Sequence, residues 1–143
     1  MRALQRTHSA EETEALGERL GRTFQGGEVC LLRGELGAGK TTLVRGLARG
    51  LDIVDDEISS PTFVLLTSHR GRLVLYHADL YRIEGRDTEI ELSLAELPGA
   101  SGVLVIEWSE RLGEMHWERW LRIDLEHDGE DARTVRVVEE HAA

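Results

Sequence analysis

The sequence predicts an α/β fold: a mostly parallel central sheet with helices on both faces and antiparallel hairpins at the edges. Three observations predict it. An apolar run, Val29-Cys30-Leu31-Leu32, passes through a glycine-rich stretch into a segment of helical period. A second run, Val103-Leu104-Val105-Ile106, offers β-formers to both faces, the mark of a strand buried on both sides and therefore in a parallel sheet. Near the end, residues 120–127 and 134–138 alternate polar and apolar around Asp128-Gly129, which marks an antiparallel hairpin with Leu121, Ile123, Leu125, Val135 and Val137 inward.

The glycine-rich stretch, Gly34-Glu35-Leu36-Gly37-Ala38-Gly39-Lys40-Thr41, fits the pattern Gly, four residues, Gly-Lys-Ser/Thr without mismatch. Its glycines permit positive φ and a close approach of backbone to ligand. Successive N–H groups then form a nest for phosphate oxygens, and the positive end of the following helix faces the same place. Lys40 reaches the β and γ phosphates as a mobile charge, and the Thr41 hydroxyl is placed to hold Mg2+, with Thr42 a second hydroxyl beside it. Strand, glycine loop and helix is the context that this chemistry needs, so the fold expected is that of a P-loop NTPase. The residues expected to line the phosphates are Leu36, Gly37, Ala38, Gly39, Lys40, Thr41 and Thr42. The plainer alternative, a glycine turn joining a strand to a helix, leaves the full pattern unexplained. The helix reads as 41–51, with Leu43, Leu47 and Leu51 four apart, Val44 and Ala48 beside them, and Gly50 as a stop signal.

A chain of 143 residues reads as one domain over 1–143, long enough to bury a core. No run of eighteen apolar residues occurs, and the N-terminus lacks the apolar stretch of a signal peptide, so the cytoplasm is expected and no membrane. The single cysteine, Cys30, sits in the middle of a predicted strand as a buried, inert thiol. The six histidines are scattered without zinc spacing. The formal charge of −10 argues against an unaided grip on nucleic acid, since phosphate contacts need clustered cations and Lys40 is the only lysine.

Taken in order, Ser9-Ala10-Glu11-Glu12 is a capping box. The helix it opens has Leu16, Leu20 and Phe24 as its stripe and Glu11, Glu14, Glu18 and Arg19 outside, and it ends at Gly26-Gly27. The helix reads as a packing element, with the loop ahead of it as a candidate contact for a bound base. Residues 52–57 read as an exposed acidic stretch. In Ser59-Ser60-Pro61-Thr62-Phe63, Pro61 breaks any helix and extends Ser60, and 62–67 reads as a strand. Ser60 or Thr62 is a candidate switch hydroxyl, completing the Mg2+ shell and sensing the γ phosphate; the alternative is plain turn chemistry. His69-Arg70-Gly71-Arg72 reads as a turn and 73–76 as the returning strand of a hairpin.

That strand runs into His77-Ala78-Asp79-Leu80-Tyr81-Arg82, where His77, Asp79 and Tyr81 share a face if the strand persists. Residues 87–97 read as a helix, with Ile90, Leu94 and Leu97 on one side, Glu89, Glu91 and Glu96 solvated, and Pro98-Gly99 as the stop. The central strand ends in Glu107, the Walker B arrangement. Two carboxylates thus compete for the metal. The Asp79 strand belongs to a hairpin and reads as peripheral, so the metal role goes to Glu107, through water, and Asp79 takes an attacking water or an outer-shell role. Trp108 reads as a core or rim residue, with stacking on a partner or nucleotide as the alternative. Residues 110–117 read as a short helix. The turn at 128–133, with Gly129, is expected to approach the nucleotide base.

Gly34-Glu35-Leu36-Gly37-Ala38-Gly39-Lys40-Thr41-Thr42, Ser60-Pro61-Thr62-Phe63, His77-Ala78-Asp79-Leu80-Tyr81-Arg82 and Ile106-Glu107-Trp108 occur in the order and at the spacing of one family. In this the chain resembles the TsaE (YjeE) family of small bacterial ATPases of tRNA threonylcarbamoyladenosine synthesis, from the first helix to the last hairpin. The resemblance implies binding of ATP and Mg2+, and ATP hydrolysis when docked on a TsaD–TsaB pair. It also implies that this pair transfers the threonylcarbamoyl group to adenosine in ANN-reading tRNAs, with hydrolysis resetting the complex. By match it gives Lys40 and Thr41 the phosphate and metal roles, Glu107 the second metal contact, Asp79 the catalytic carboxylate and Thr62 the switch. Contact with tRNA would be indirect, through the complex, in keeping with the acidic charge. The rivals are a small-molecule kinase, for which no insertion is long enough to make an arginine-bearing lid, and a nucleotide-dependent binding switch without useful hydrolysis.

Overall fold

Val29–Arg33 and Gly102–Glu107, the two runs apolar on both faces, lie side by side and parallel in the middle of one sheet. The computed structural model describes residues 2–35, 37–54, 66–83, 87–113 and 115–142. Along them run β1 (Arg2–Thr7), α1 (Ala10–Thr23), β2 (Val29–Arg33), α2 (Lys40–Gly50), β3 (Leu66–Arg70), β4 (Val74–Asp79), α3 (Thr88–Ala95), β5 (Gly102–Glu107), a 3-10 turn (Ser109–Arg111), β6 (Arg119–His127) and β7 (Arg133–His141). Among the described residues the sheet has seven strands in the order β1-β7-β6-β2-β5-β4-β3. The neighbours β6-β2, β2-β5 and β5-β4 are parallel; β1-β7, β7-β6 and β4-β3 are antiparallel. The expected parallel centre, antiparallel hairpins and helices on both faces are therefore present.

Strand alternation sorts the core. Cys30, Leu32, Val103, Val105, Leu75, Ile123 and Leu125 face α1 and α2, meeting Leu16, Leu43 and Leu47. Val29, Leu31, Leu104, Ile106 and Ala78 face the other way, toward Leu94 and Ile90 of α3. The two helices on the first face touch backbone to backbone. A Cβ on Gly46 would lie 2.0 Å from the Glu14 carbonyl oxygen, and one on Gly50 2.4 Å from that of Glu18. Gly50 falls, as expected, at the end of α2, as its last residue before the C-cap Leu51, and it serves there as a packing residue against α1 as well.

Other expectations change for physical reasons. β1 was not foreseen because its inward positions, Ala3 and Thr7, are small or polar, while Leu4 points out and is 62% exposed. His69 and Arg70 belong to β3, and the turn begins at Gly71, where a Cβ would stand 2.1 Å from the Leu51 carbonyl oxygen. Arg72 follows it there and donates to the carbonyls of Phe24 (2.6 Å), Gly21 (2.7 Å) and Gly50 (3.2 Å), joining the C-terminal ends of α1 and α2. β4 stops at Asp79, because the Tyr81 N–H turns back to donate to Asp79 Oδ1 at 2.9 Å; Tyr81 does not share the face of His77 and Asp79. Nor is β4 peripheral: it lies between β5 and β3.

Glu91 is buried rather than solvated. It accepts from the Gly113 N–H (3.3 Å) and lies 3.8 Å from His116 Nε2, because the chain after the 3-10 turn packs over α3. Of the helix expected over 110–117, Glu110 and Arg111 lie in the 3-10 turn, and the chain that follows is not helical at its described residues 112–113 and 115–117. The helix-disfavouring Gly113 lies in it, and it is anchored by Leu112 and Trp117 in the α3-side core and by Trp117 Nε1 on the Leu97 carbonyl at 2.9 Å. The strand expected over 62–67 lies outside the described residues up to position 65, as does the acidic stretch over 55–57. Among the described residues no helix is long and apolar enough to cross a membrane.

Candidate functional site

Parallel pairing brings the ends of β2, β5 and β4 to one edge of the sheet, and the glycine loop leaves the sheet at that edge. Gly39 closes the loop in the left-handed conformation (φ 99°, ψ 16°) and starts α2 without a side-chain cap; no acidic residue stands in the first turn. Gly37 is also left-handed (φ 79°). A helix that begins this way has N–H groups and a positive dipole end free for an anion.

The same parity that sorts the core places the polar side chains. Leu75, His77 and Asp79 of β4 and Val103, Val105 and Glu107 of β5 alternate toward α2, and Asp79 and Glu107 are direct register partners. Both carboxylates are buried, at 5% and 2% exposure. The Thr41 hydroxyl donates to Glu107 Oε1 at 3.4 Å, and His77 Nε2 lies 2.5 Å from Glu107 Oε2. Lys40 is 5% exposed; its Nζ donates to the Gly34 carbonyl and, at 3.4 Å, to that of Glu35, and stands 3.7 Å from the centre of the Trp108 ring. Burial pushes the Lys40 ammonium below the usual lysine range, and the charges of Glu107, Glu110 and Asp79 pull it part of the way back. Trp108 takes up this position with a left-handed backbone (φ 60°), and Tyr81 packs on it at 5.0 Å between ring centres.

The last hairpin reaches the loop from the other side. Arg133 donates to the carbonyls of Ala38 (3.1 Å) and Gly37 (3.2 Å). A small cleft of about 100 Å³ there is lined by Ala10, Thr13, Gly39, Thr42, Asp131 and Arg133. The start of α1 and the hairpin turn therefore both meet the loop, while Gly129 stays exposed at the turn's tip. A larger cleft of about 850 Å³ lies between the loop and β6, bordered by Gly34, Glu35, Trp108, Glu110 and His127.

Of the residues singled out in the sequence, Gly37, Ala38, Gly39, Lys40, Thr41, Thr42, Asp79 and Glu107 gather at this edge. Leu36, Ser60 and Thr62 lie outside the described residues. Arg133 and the His77–Glu107 contact were not anticipated; each joins positions far apart in the chain, and only strand register brings them together. The donor set suits a polyphosphate and a hard divalent cation: main-chain N–H groups and one ammonium for the phosphates, one hydroxyl and one carboxylate for the metal.

Comparison with known proteins agrees with this arrangement. The family model described as threonylcarbamoyl adenosine biosynthesis protein TsaE matches residues 7–135. The chain is 41% identical over 131 residues to the tRNA threonylcarbamoyladenosine biosynthesis protein TsaE of Treponema pallidum, covering 92% of this chain and 96% of that one. It is 37% identical over 131 residues to the protein of the same name from Bacillus subtilis, covering 91% and 81%. The crystal structure of Bacillus subtilis YdiB superposes with a TM-score of 0.74 at 31% identity, over 99% of this chain and 87% of that one. The chain belongs to the TsaE family and thereby to the proteins of tRNA threonylcarbamoyladenosine biosynthesis.

Proposed function

We propose that this chain is a cytoplasmic, Mg2+-dependent ATPase with a P-loop NTPase fold, and that it hydrolyses the β–γ phosphoanhydride bond of ATP when docked on a TsaD–TsaB pair. That pair would hold the tRNA and modify its adenosine. The observation that supports the reading best is the convergence of Lys40, Thr41, Asp79 and Glu107 at the uncapped start of α2.

In this reading the loop N–H groups and Lys40 bind the β and γ phosphates. Thr41 and Glu107 hold Mg2+, which when bound neutralises charge on the phosphate oxygens. Asp79, one strand over, orients the attacking water and accepts its hydrogen bond. The water oxygen bonds to the γ phosphorus, the bond to the β-phosphate oxygen breaks, and ADP, phosphate and a proton leave. Ser60 or Thr62 acts as the switch hydroxyl. Trp108 lies over the lysine and limits water on that side.

The test is ATP hydrolysis by the chain alone, then with the TsaD–TsaB pair and tRNA. The rate is expected to rise with the partners. Asp79→Ala should bind ATP while turnover falls by about 10²–10³-fold or more, the scale of losing one transition-state contact. Lys40→Ala should lose ATP binding. Equal turnover by the Asp79 variant refutes its role, and a Lys40→Ala chain that binds ATP normally refutes the phosphate site.

A further inference from the structure

We propose that His77 is a positioning residue for Glu107: it holds one carboxylate oxygen so that the other is turned to Thr41 and the metal position. The inference rests on the Mg2+–ATP reading above and extends it to a residue outside the phosphate loop. His77 stands on β4 opposite Val105, fully buried at 0% exposure. Its neighbours on that face are the aliphatic Leu75, Val103 and Val105 and, one step along the strands, the carboxylates Asp79 and Glu107. A purely packing role at such a place is served by an aliphatic side chain, since burying an imidazole costs free energy unless its nitrogens are used. Only one nitrogen is used here. Nε2 meets Glu107 Oε2 at 2.5 Å, and among the described residues Nδ1 has no hydrogen-bond partner.

That asymmetry decides the tautomer. With the proton on Nε2, the ring donates to the carboxylate and leaves a bare lone pair at Nδ1. With the proton on Nδ1, an N–H would be buried without an acceptor, and two acceptors would face each other at 2.5 Å. The carboxylate is thereby divided between two duties. Oε2 is occupied by the imidazole, and Oε1 is left for the Thr41 hydroxyl at 3.4 Å. Without the donor, Glu107 has rotamers in which neither oxygen is aimed at Thr41. Hydrogen bonds of this kind, one step removed from the metal, orient the ligands that touch it.

The experiment uses the full chain and four proteins: wild type, His77→Gln, His77→Asn and His77→Phe. ATP binding is measured by calorimetry in EDTA, and Mn2+ binding to the ATP complex by electron paramagnetic resonance. Glutamine can place its amide N–H where Nε2 stands, whereas asparagine ends where Nδ1 stands and falls short of the carboxylate. ATP affinity in EDTA should be the same in all four. Mn2+ affinity should stay near wild type in His77→Gln and fall about 10–100-fold in His77→Asn and His77→Phe. The proposal is overturned if His77→Asn keeps wild-type Mn2+ affinity, or if His77→Gln falls as far as His77→Asn. It is equally overturned if the variants lose metal-free ATP binding together with Mn2+, which would make His77 a residue of the fold alone. A wild-type chain that takes up neither ATP nor Mn2+–ATP would instead overturn the nucleotide reading itself.

Discussion

Lys40 carries the only side-chain ammonium in the chain, and it lies between two loop carbonyls and the face of an indole. Such a charge keeps its hydrogen bonds while losing most of its water, which is why its pKa moves down although three carboxylates stand near. The indole reaches it because Trp108 accepts a positive φ, uncommon for a residue with a side chain and concentrated at functional sites. On the face of β2 turned toward α1 and α2, Cys30 is fully buried, and burial pushes its thiol far above the usual range. Its reaction with an aromatic disulfide reagent is therefore expected to be negligible in the native protein and complete in denaturant. Rapid native labelling would show that the centre of β2 opens. At this scale the phosphate-loop residues were legible because their spacing is local. Tyr81 and Arg133 were less so, since one depends on where a strand stops and the other on a contact 95 positions away.

Arg72 shows what a turn can do for two helices. Its guanidinium meets carbonyls at the ends of α1 and α2, where helix dipoles favour a cation and orphan carbonyls need donors. Arg72→Ala should destabilise the fold by about 1–3 kcal/mol, read from denaturant midpoints, and Arg72→Lys should recover little because a single ammonium cannot span three acceptors. An unchanged midpoint for the alanine variant would refute this bridging role. The helices themselves were legible from period and, for α1, from its cap: Ser9 does accept from the N–H of Glu12, while the cap that Asp87 makes on the Ile90 N–H emerged only in the structure. The glycine contact between α1 and α2 was not, because a packing glycine and a stopping glycine look alike in one sequence. The same holds for Glu91, whose position on α3 matches a solvated face until the chain from 112 onward is laid over it.

For the molecule as a whole, charge decides what it can hold unaided. Seventeen basic residues stand against twenty-seven acidic ones, so phosphate contacts are outnumbered by repulsion. The isolated chain should show no retention of tRNA in filter binding at physiological salt. Tight binding there would contradict the view that partners supply the RNA contacts. The architecture was legible from two apolar runs and one alternating hairpin. The pairing of that hairpin into the parallel centre was not, because register across a sheet leaves no local trace.

That pairing has a consequence during synthesis. β2, which delivers the loop, receives β6 as its second parallel neighbour only after residues 119–127 have emerged from the ribosome, and Arg133 comes later still. A nascent chain halted at residue 115 would display every recognisable motif on a half-built sheet with one flank of β2 unpaired. The loop is thus made before the strands that complete its surroundings, a contact of long sequence range that slows folding.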